Sequence, residues 1–133
     1  MDVKKTILPG EYEFSLAPGG RVLSHVEYRP GPWFRLRGLL GRRALASGTG
    51  IWLLPCDSIH MFFMQFPIDA IFLDRNQRIV HVVHHIGPWS LVWPVRGAYS
   101  CLEIPAGEAV GLAPGMELQV RQVPACDRVS SKV

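Results

Sequence analysis

A small set of side chains on or beside one apolar stretch could do chemistry: Cys56, His60, Met64, Asp69 and Glu103, with Trp89 further along. The spacing Cys56-x3-His60 brings together a thiolate and an imidazole, a pair suited to a soft or borderline metal ion. A zinc site needs one or two more ligands, and the remaining donors, His81, His84, His85 and Cys101, match no ligand-set spacing. Metal binding through Cys56 and His60 therefore stands third among the readings, and neither a metal nor a cofactor is expected. The same pair could serve as nucleophile and base, with Asp69 orienting the imidazole, or His60 could work with Asp69 or Glu103 as a hydrolase acid–base pair. No protease or acyltransferase signature surrounds Cys56 and no glycine-rich oxyanion element is present, so no residue is assigned a catalytic role. Cys56 fits equally well as a small buried hydrophobe.

Asp69 lies within PIDAIFL, where an unpaired carboxylate is costly to bury. It calls for a cation such as Arg37 or His60, a hydroxyl, or a cluster of main-chain N–H groups; the bland alternative is a turn-stabilising carboxylate that fixes how the chain leaves Pro67. Glu103, in CLEIP, poses the same question. Trp89 and Trp93 could stack on a sugar, hold a partner peptide, or cap the open end of a sheet. The reading that accounts for most of these residues is a ligand- or protein-binding accessory module with a polar site beside residues 59–74. A small hydrolase is the alternative.

Positioning these residues requires short elements, because 13 glycines and 11 prolines are spread along the 133 residues. Strand-like runs at Glu11–Ala17 and Arg21–Arg29 flank Pro18-Gly19-Gly20, a hairpin signal. Trp33, Leu36, Leu40 and Ala44 recur at three and four, predicting one principal helix around residues 33–45, with Pro32 at its start. Ile51–Leu54, Ile68–Leu73, Arg78–His85, Tyr99–Ile104 and Glu117–Val123 read as further strands, and Ala106–Leu112 as one helical turn. Ile68–Leu73 is apolar on both faces except for Asp69, the pattern of a strand covered on both sides. The expectation is one mainly β (α+β) domain over residues 1–133, a small curled antiparallel sheet or incomplete barrel of about seven or eight strands, with the Ile68–His85 hairpin in its middle. Residues 1–10 and 124–133 read as a flexible lead-in and tail.

Composition bounds the rest. A chain that is 48% hydrophobic and 19% charged is ordinary for a globular domain. The net charge of +3 is mild and the basic residues are dispersed, which argues against a nucleic-acid partner. Nothing approaches the ~18 apolar residues of a membrane span. The start of the chain lacks a signal-peptide core and the three cysteines have no CxxC spacing, so a reducing, cytoplasmic setting is expected. The oligomeric state is not readable.

Six blocks, RLRGLLGRR (35–43), LLPCDSIHMFFMQFPIDAIFLD (53–74), RIVHVV (78–83), GPW (87–89), CLEIPAG (101–107) and LAPGMEL (112–118), resemble in order and spacing the family catalogued as domain of unknown function 192. The resemblance covers about residues 22–120. It implies a small, single-domain, mainly β protein of a family with bacterial and archaeal members, some exported and others not, and with no established activity. Met61 stands where a threonine is common in that family and Gln65 where an arginine is common. The resemblance therefore implies a change of polarity for any pocket those two positions line.

Overall fold

A computed structural model describes residues 7–16, 22–28, 45–61 and 64–123. Nine strands run through them: β1 (Gly10–Leu16), β2 (Val22–Tyr28), β3 (Thr49–Leu53), β4 (Ile59–His60), β5 (Ile68–Leu73), β6 (Ile79–Ile86), β7 (Leu91–Val92), β8 (Ser100–Pro105) and β9 (Leu118–Gln122). Seven form one sheet in the order β6-β5-β8-β3-β2-β1-β9, and β4 pairs with β7 in a separate two-stranded ribbon. The expected mainly β architecture and the β1–β2 hairpin are present. The helix expected around residues 33–45 falls, up to residue 44, outside the described residues.

The arrangement corrects three expectations. The sheet is not wholly antiparallel, because β2 and β3 run parallel, in register His25↔Thr49 to Glu27↔Ile51. The long connection over residues 29–48 makes this possible, since parallel neighbours need a crossover of a dozen or more residues. The β5–β6 hairpin lies at one edge, not in the middle, because β8 inserts between β5 and β3. β8 is thus an interior strand, paired with β3 on one edge and β5 on the other, and five of its six residues are buried. Residues 106–111 form turns without a helix, broken by Gly107 and Gly111 at φ 94° and 90°, a region only glycine enters readily.

The sheet curls until its two edges meet at one end. Arg78 bridges Glu117. Beside that bridge the Ile79 N–H donates to the Met116 carbonyl at 2.8 Å and the Gly115 N–H to the Ile79 carbonyl at 2.8 Å, while the Leu118 N–H reaches the Gln77 carbonyl at 2.9 Å. The result is a half-barrel. Strand alternation then sorts the apolar residues into two clusters. Tyr12, Phe14, Val26, Trp52, Ile71, Leu102, Ile104 and Leu118 fill the inside. Ile51, Leu53, Ile68, Ala70, Phe72 and Cys101 face outward and are covered by Cys56, Ile59, Met61, Met64, Phe66 and Ile86.

All six residues of β5 are buried, so the strand contributes to both clusters. Burying a side chain such as Phe72 or Ile71 stabilises the fold by roughly 1.5–3 kcal/mol each. β3 and β8 approach closely where Gly50 passes Glu103: a Cβ there would lie 2.8 Å from the Glu103 carbonyl oxygen. Among the described residues no helix is long and apolar enough to cross a membrane.

Candidate functional site

Asp69 is fully buried, and its two oxygens are engaged by main chain. Oδ1 accepts the N–H of His85 at 2.7 Å, and Oδ2 accepts those of Gly107 and Ala109, both at 2.9 Å. The local cause is a β-bulge. Ile68 pairs with Ile86 but Ala70 pairs with Val83, so β6 spends three steps where β5 spends two. His85 takes a left-handed conformation in the bulge, at φ 51°, and its N–H turns to the carboxylate. On the other side, the chain leaving β8 folds over the end of β5 and presents Gly107 and Ala109.

Residues 106–117 thus form a strap across the gap between the sheet edges. It is tied to Asp69 at its start and to Ile79 at its end. Of the kinds of partner expected for Asp69, a cation, a hydroxyl or a main-chain N–H cluster, the cluster is the one observed, and its donors lie 16, 38 and 40 residues away in sequence rather than in the turn at Pro67. Arg37 lies outside the described residues.

Between the strap and the bulge is an open depression of about 420 Å³ lined by Asp69, His84, His85, Gly107, Val110 and Gly111. The bulge sets two consecutive imidazoles along this one depression, which regular alternation would have sent to opposite faces. The Nδ1 of His84 lies 3.8 Å from Asp69 Oδ2, beyond hydrogen-bond reach.

The other candidate residues are distributed elsewhere. Glu103 is buried in β8, paired in register with Ala70 and Ile51, and therefore faces outward, whereas Asp69 faces inward. Two carboxylates on opposite faces of one sheet do not share a cleft. Cys56 is buried, with its Sγ donating to the Ser58 carbonyl at 3.1 Å. His60 is exposed, on the opposite side of its strand from the buried Ile59. Met64 packs in the outer cluster. Among the described residues no group of three or more His, Cys, Asp or Glu is placed to hold a metal ion.

Trp89 lies at the start of a second feature. Residues 57–61 run against residues 89–95: the Trp89 N–H donates to the Met61 carbonyl at 2.7 Å, Met61 to Ser90 at 2.8 Å and Val95 to Asp57 at 2.7 Å. In the middle, His60 pairs with Leu91 and Ile59 with Val92. Cross-strand partners share a face, so Ile59 and Val92 pack toward the core while His60 and Leu91 face water, joined by Trp93 two residues on. Trp89, Leu91 and Trp93 are 60%, 49% and 76% exposed.

Inside the half-barrel, Trp52 is met edge-on by Tyr12, Phe14 and Tyr28 at ring-centre distances of 5.3, 5.0 and 6.0 Å. Burial pushes the hydroxyls of Tyr12 and Tyr28 above the ordinary tyrosine pKa of 10.0, and the Tyr12 hydroxyl donates to the Leu8 carbonyl.

The sequence reading missed Gly107 and Ala109 as partners of Asp69 and Leu91 as part of the exposed ribbon. The signal for the first was faint, a glycine after Pro105-Ala106. The second carried none, since a two-residue strand lies below the length at which alternation can be read.

Comparison with known proteins gives a consistent picture. The DUF192 family model, described as Uncharacterized ACR, matches residues 15–120. A UPF0127 protein of Thermococcus sibiricus is 39% identical over 62 residues, 43% of this chain and 40% of that protein. Another, from Pyrococcus horikoshii, is 38% identical over 69 residues, 48% of this chain and 59% of its own length. The matched segment therefore spans less than two thirds of either relative. Two crystal structures share the fold. One, from Sinorhizobium meliloti, bears a name that proposes a transcription regulator, and it has a TM-score of 0.70 at 23% identity over 87% of this chain and 98% of that one. The other, a protein of unknown function from Novosphingobium aromaticivorans, has a TM-score of 0.69 at 24% identity over 82% of this chain and 83% of its own.

Proposed function

The chain belongs to the DUF192 family, and we propose that it is a binding module that holds an extended, apolar segment of a partner protein along the β4·β7 ribbon. The observation that carries this reading is the exposure of Leu91 on the β4·β7 ribbon beside His60, with Trp89 in the turn before it and Trp93 just after it also exposed. Large side chains exposed together are characteristic of contact surfaces, and tryptophan is the residue most enriched among binding hot spots. Leu91 and Trp93 are two residues apart on an extended chain, a spacing that matches alternate side chains of an extended peptide. The partner's charge is argued from the flanks. No Asp or Glu occurs from Arg75 to Leu102, while Arg75, which stacks 4.2 Å over the Tyr99 ring, and Arg96 border the loop that ends the ribbon. Asp57, exposed in the bend before β4, offsets part of that charge, so a segment with apolar anchors and a small acidic excess suits the surface better than a highly charged one.

Asp69 supports the ribbon indirectly in this reading: it fixes the bulge from which the chain runs on through Ile86 to Trp89. The buried thiols of Cys56 and Cys101 suit a reducing, cytoplasmic setting. The test is selection of short linear peptides from a displayed random library on the wild-type protein, followed by titration of synthetic copies. Enriched peptides are expected to carry apolar residues at alternate positions and to lose at least about tenfold in affinity on Trp93→Ala. Absence of enrichment, or equal affinity for the folded variant, would overturn the reading.

A further inference from the structure

The main-chain pairing of the ribbon leaves the outer edge of β7 open. The Met61 N–H donates to the Ser90 carbonyl at 2.8 Å, and antiparallel partners alternate between hydrogen-bonded and non-hydrogen-bonded pairs. The next pair along, His60 with Leu91, is therefore a non-hydrogen-bonded one. Leu91 turns its N–H and C=O away from β4, and Trp93, two residues on in the same extended stretch, repeats that orientation. Among the described residues none of these four groups meets a partner, and both residues are exposed. We infer, on the reading of the ribbon as a contact surface, that β7 takes the partner's segment as a third strand, paired antiparallel through its main chain.

This geometry sets what the segment must be. An open strand edge pairs readily with another chain, and a strand added here exchanges both bonds of Leu91 with one of its residues and meets Trp93 with the residue two positions earlier. Directly opposed residues share a face, so those two side chains lie on the exposed face of the ribbon, against the Leu91 methyls and the Trp93 indole. Both positions call for an apolar side chain on a residue that carries its own N–H, which excludes proline from each. The residue between them turns its N–H and C=O outward to water and is free in type. The grip is short. Pro88 and Pro94 have no N–H to give, and Trp89 spends its own on the Met61 carbonyl, so the main chain holds about three residues of the segment and the side chains supply the rest of the affinity.

The experiment takes a peptide selected from the displayed library on the whole chain and makes synthetic copies N-methylated at one residue each, titrated in turn against the wild-type protein. A methyl on the nitrogen removes the donor and stands in the plane of pairing. The expected result has a period of two: affinity falls at least about fivefold where the peptide N–H faces β7 and changes less than about twofold at the positions between. Amide hydrogen exchange at Leu91 and Trp93 is expected to slow at least about tenfold at saturation with the unmethylated peptide. A peptide that loses affinity on Trp93→Ala yet tolerates methylation at every position, with exchange at Leu91 and Trp93 unchanged, would overturn the pairing and leave the ribbon as a side-chain contact surface. A library that yields no peptide would overturn both. Exchange at Leu91 that slows with protein concentration alone would place a second copy of this chain on the edge and would likewise overturn the inference.

Discussion

The Asp69 carboxylate and the main-chain N–H of His85 meet at 2.7 Å across a β-bulge, and the same side chain takes Gly107 and Ala109 at 2.9 Å. One buried acid therefore joins the edge strand β6 to the strap that follows β8. Replacing Asp69 with alanine leaves three N–H groups to find other partners beside an apolar interior. The expected loss is about 2–4 kcal/mol in urea unfolding. Asp69→Asn, which keeps one acceptor oxygen, should lose less, and an alanine variant as stable as wild type would contradict the structural role assigned to the carboxylate.

Gly50 is required by contact rather than by backbone conformation. A Cβ at that position would sit 2.8 Å from the Glu103 carbonyl oxygen and 3.0 Å from a methyl carbon of Ile104, both in the neighbouring strand. Gly50→Ala should force β3 and β8 apart and lower stability by about 1–3 kcal/mol, measured by the midpoint of thermal or urea unfolding.

Stability should fall in alkali. Burial raises the pKa of Tyr12 and Tyr28 in the folded protein above the unfolded value of 10.0. Above that pH the unfolded chain releases phenolic protons that the folded chain retains, so the unfolded state binds fewer protons and stability declines as pH rises. Below pH 10.0 the contribution is fully present. Tyr28→Phe should flatten the decline, as read from urea midpoints across the alkaline range; an unchanged slope would assign the alkaline loss to other groups.

Much of the scaffold was readable in the residue pattern, because β5 announces itself. A short run of apolar residues bounded by Pro67 and the turn at Asp74 fits a doubly covered strand, and IDAIFL is one. The β1–β2 hairpin was equally plain from its flanking turn signal. Strand order was not readable: nothing local to Ile68–Leu73 tells that β8, rather than an earlier strand, lies beside it. The parallel β2–β3 pair was hidden for the same reason, since it depends on a long crossover. Asp69 was recognised as a residue that must be paired, but its partners are peptide groups, which every residue except proline carries and which therefore leave no mark in the sequence. The exposed ribbon was seen only as two tryptophans in a loop. Its face is set by the pairing of Leu91 with His60, which no local pattern encodes.

Trp93 should be dispensable for folding. At 76% exposure it contributes little to the core, so Trp93→Ala should change unfolding free energy by no more than about 0.5 kcal/mol. A larger loss would mean that the side chain supports the loop and does not serve mainly as a contact.

The central claim is that Asp69 builds the fold while the ribbon makes the contact, and the two roles separate in one measurement. A peptide selected on the wild-type protein is titrated against Trp89→Ala/Trp93→Ala and against Asp69→Asn, each under conditions where circular dichroism reports a folded protein. The account predicts an affinity loss of at least about tenfold for the tryptophan variant with its unfolding midpoint unchanged, and a lowered midpoint with nearly unchanged affinity for Asp69→Asn. Unaltered affinity in the tryptophan variant, or abolished binding in folded Asp69→Asn, would contradict it.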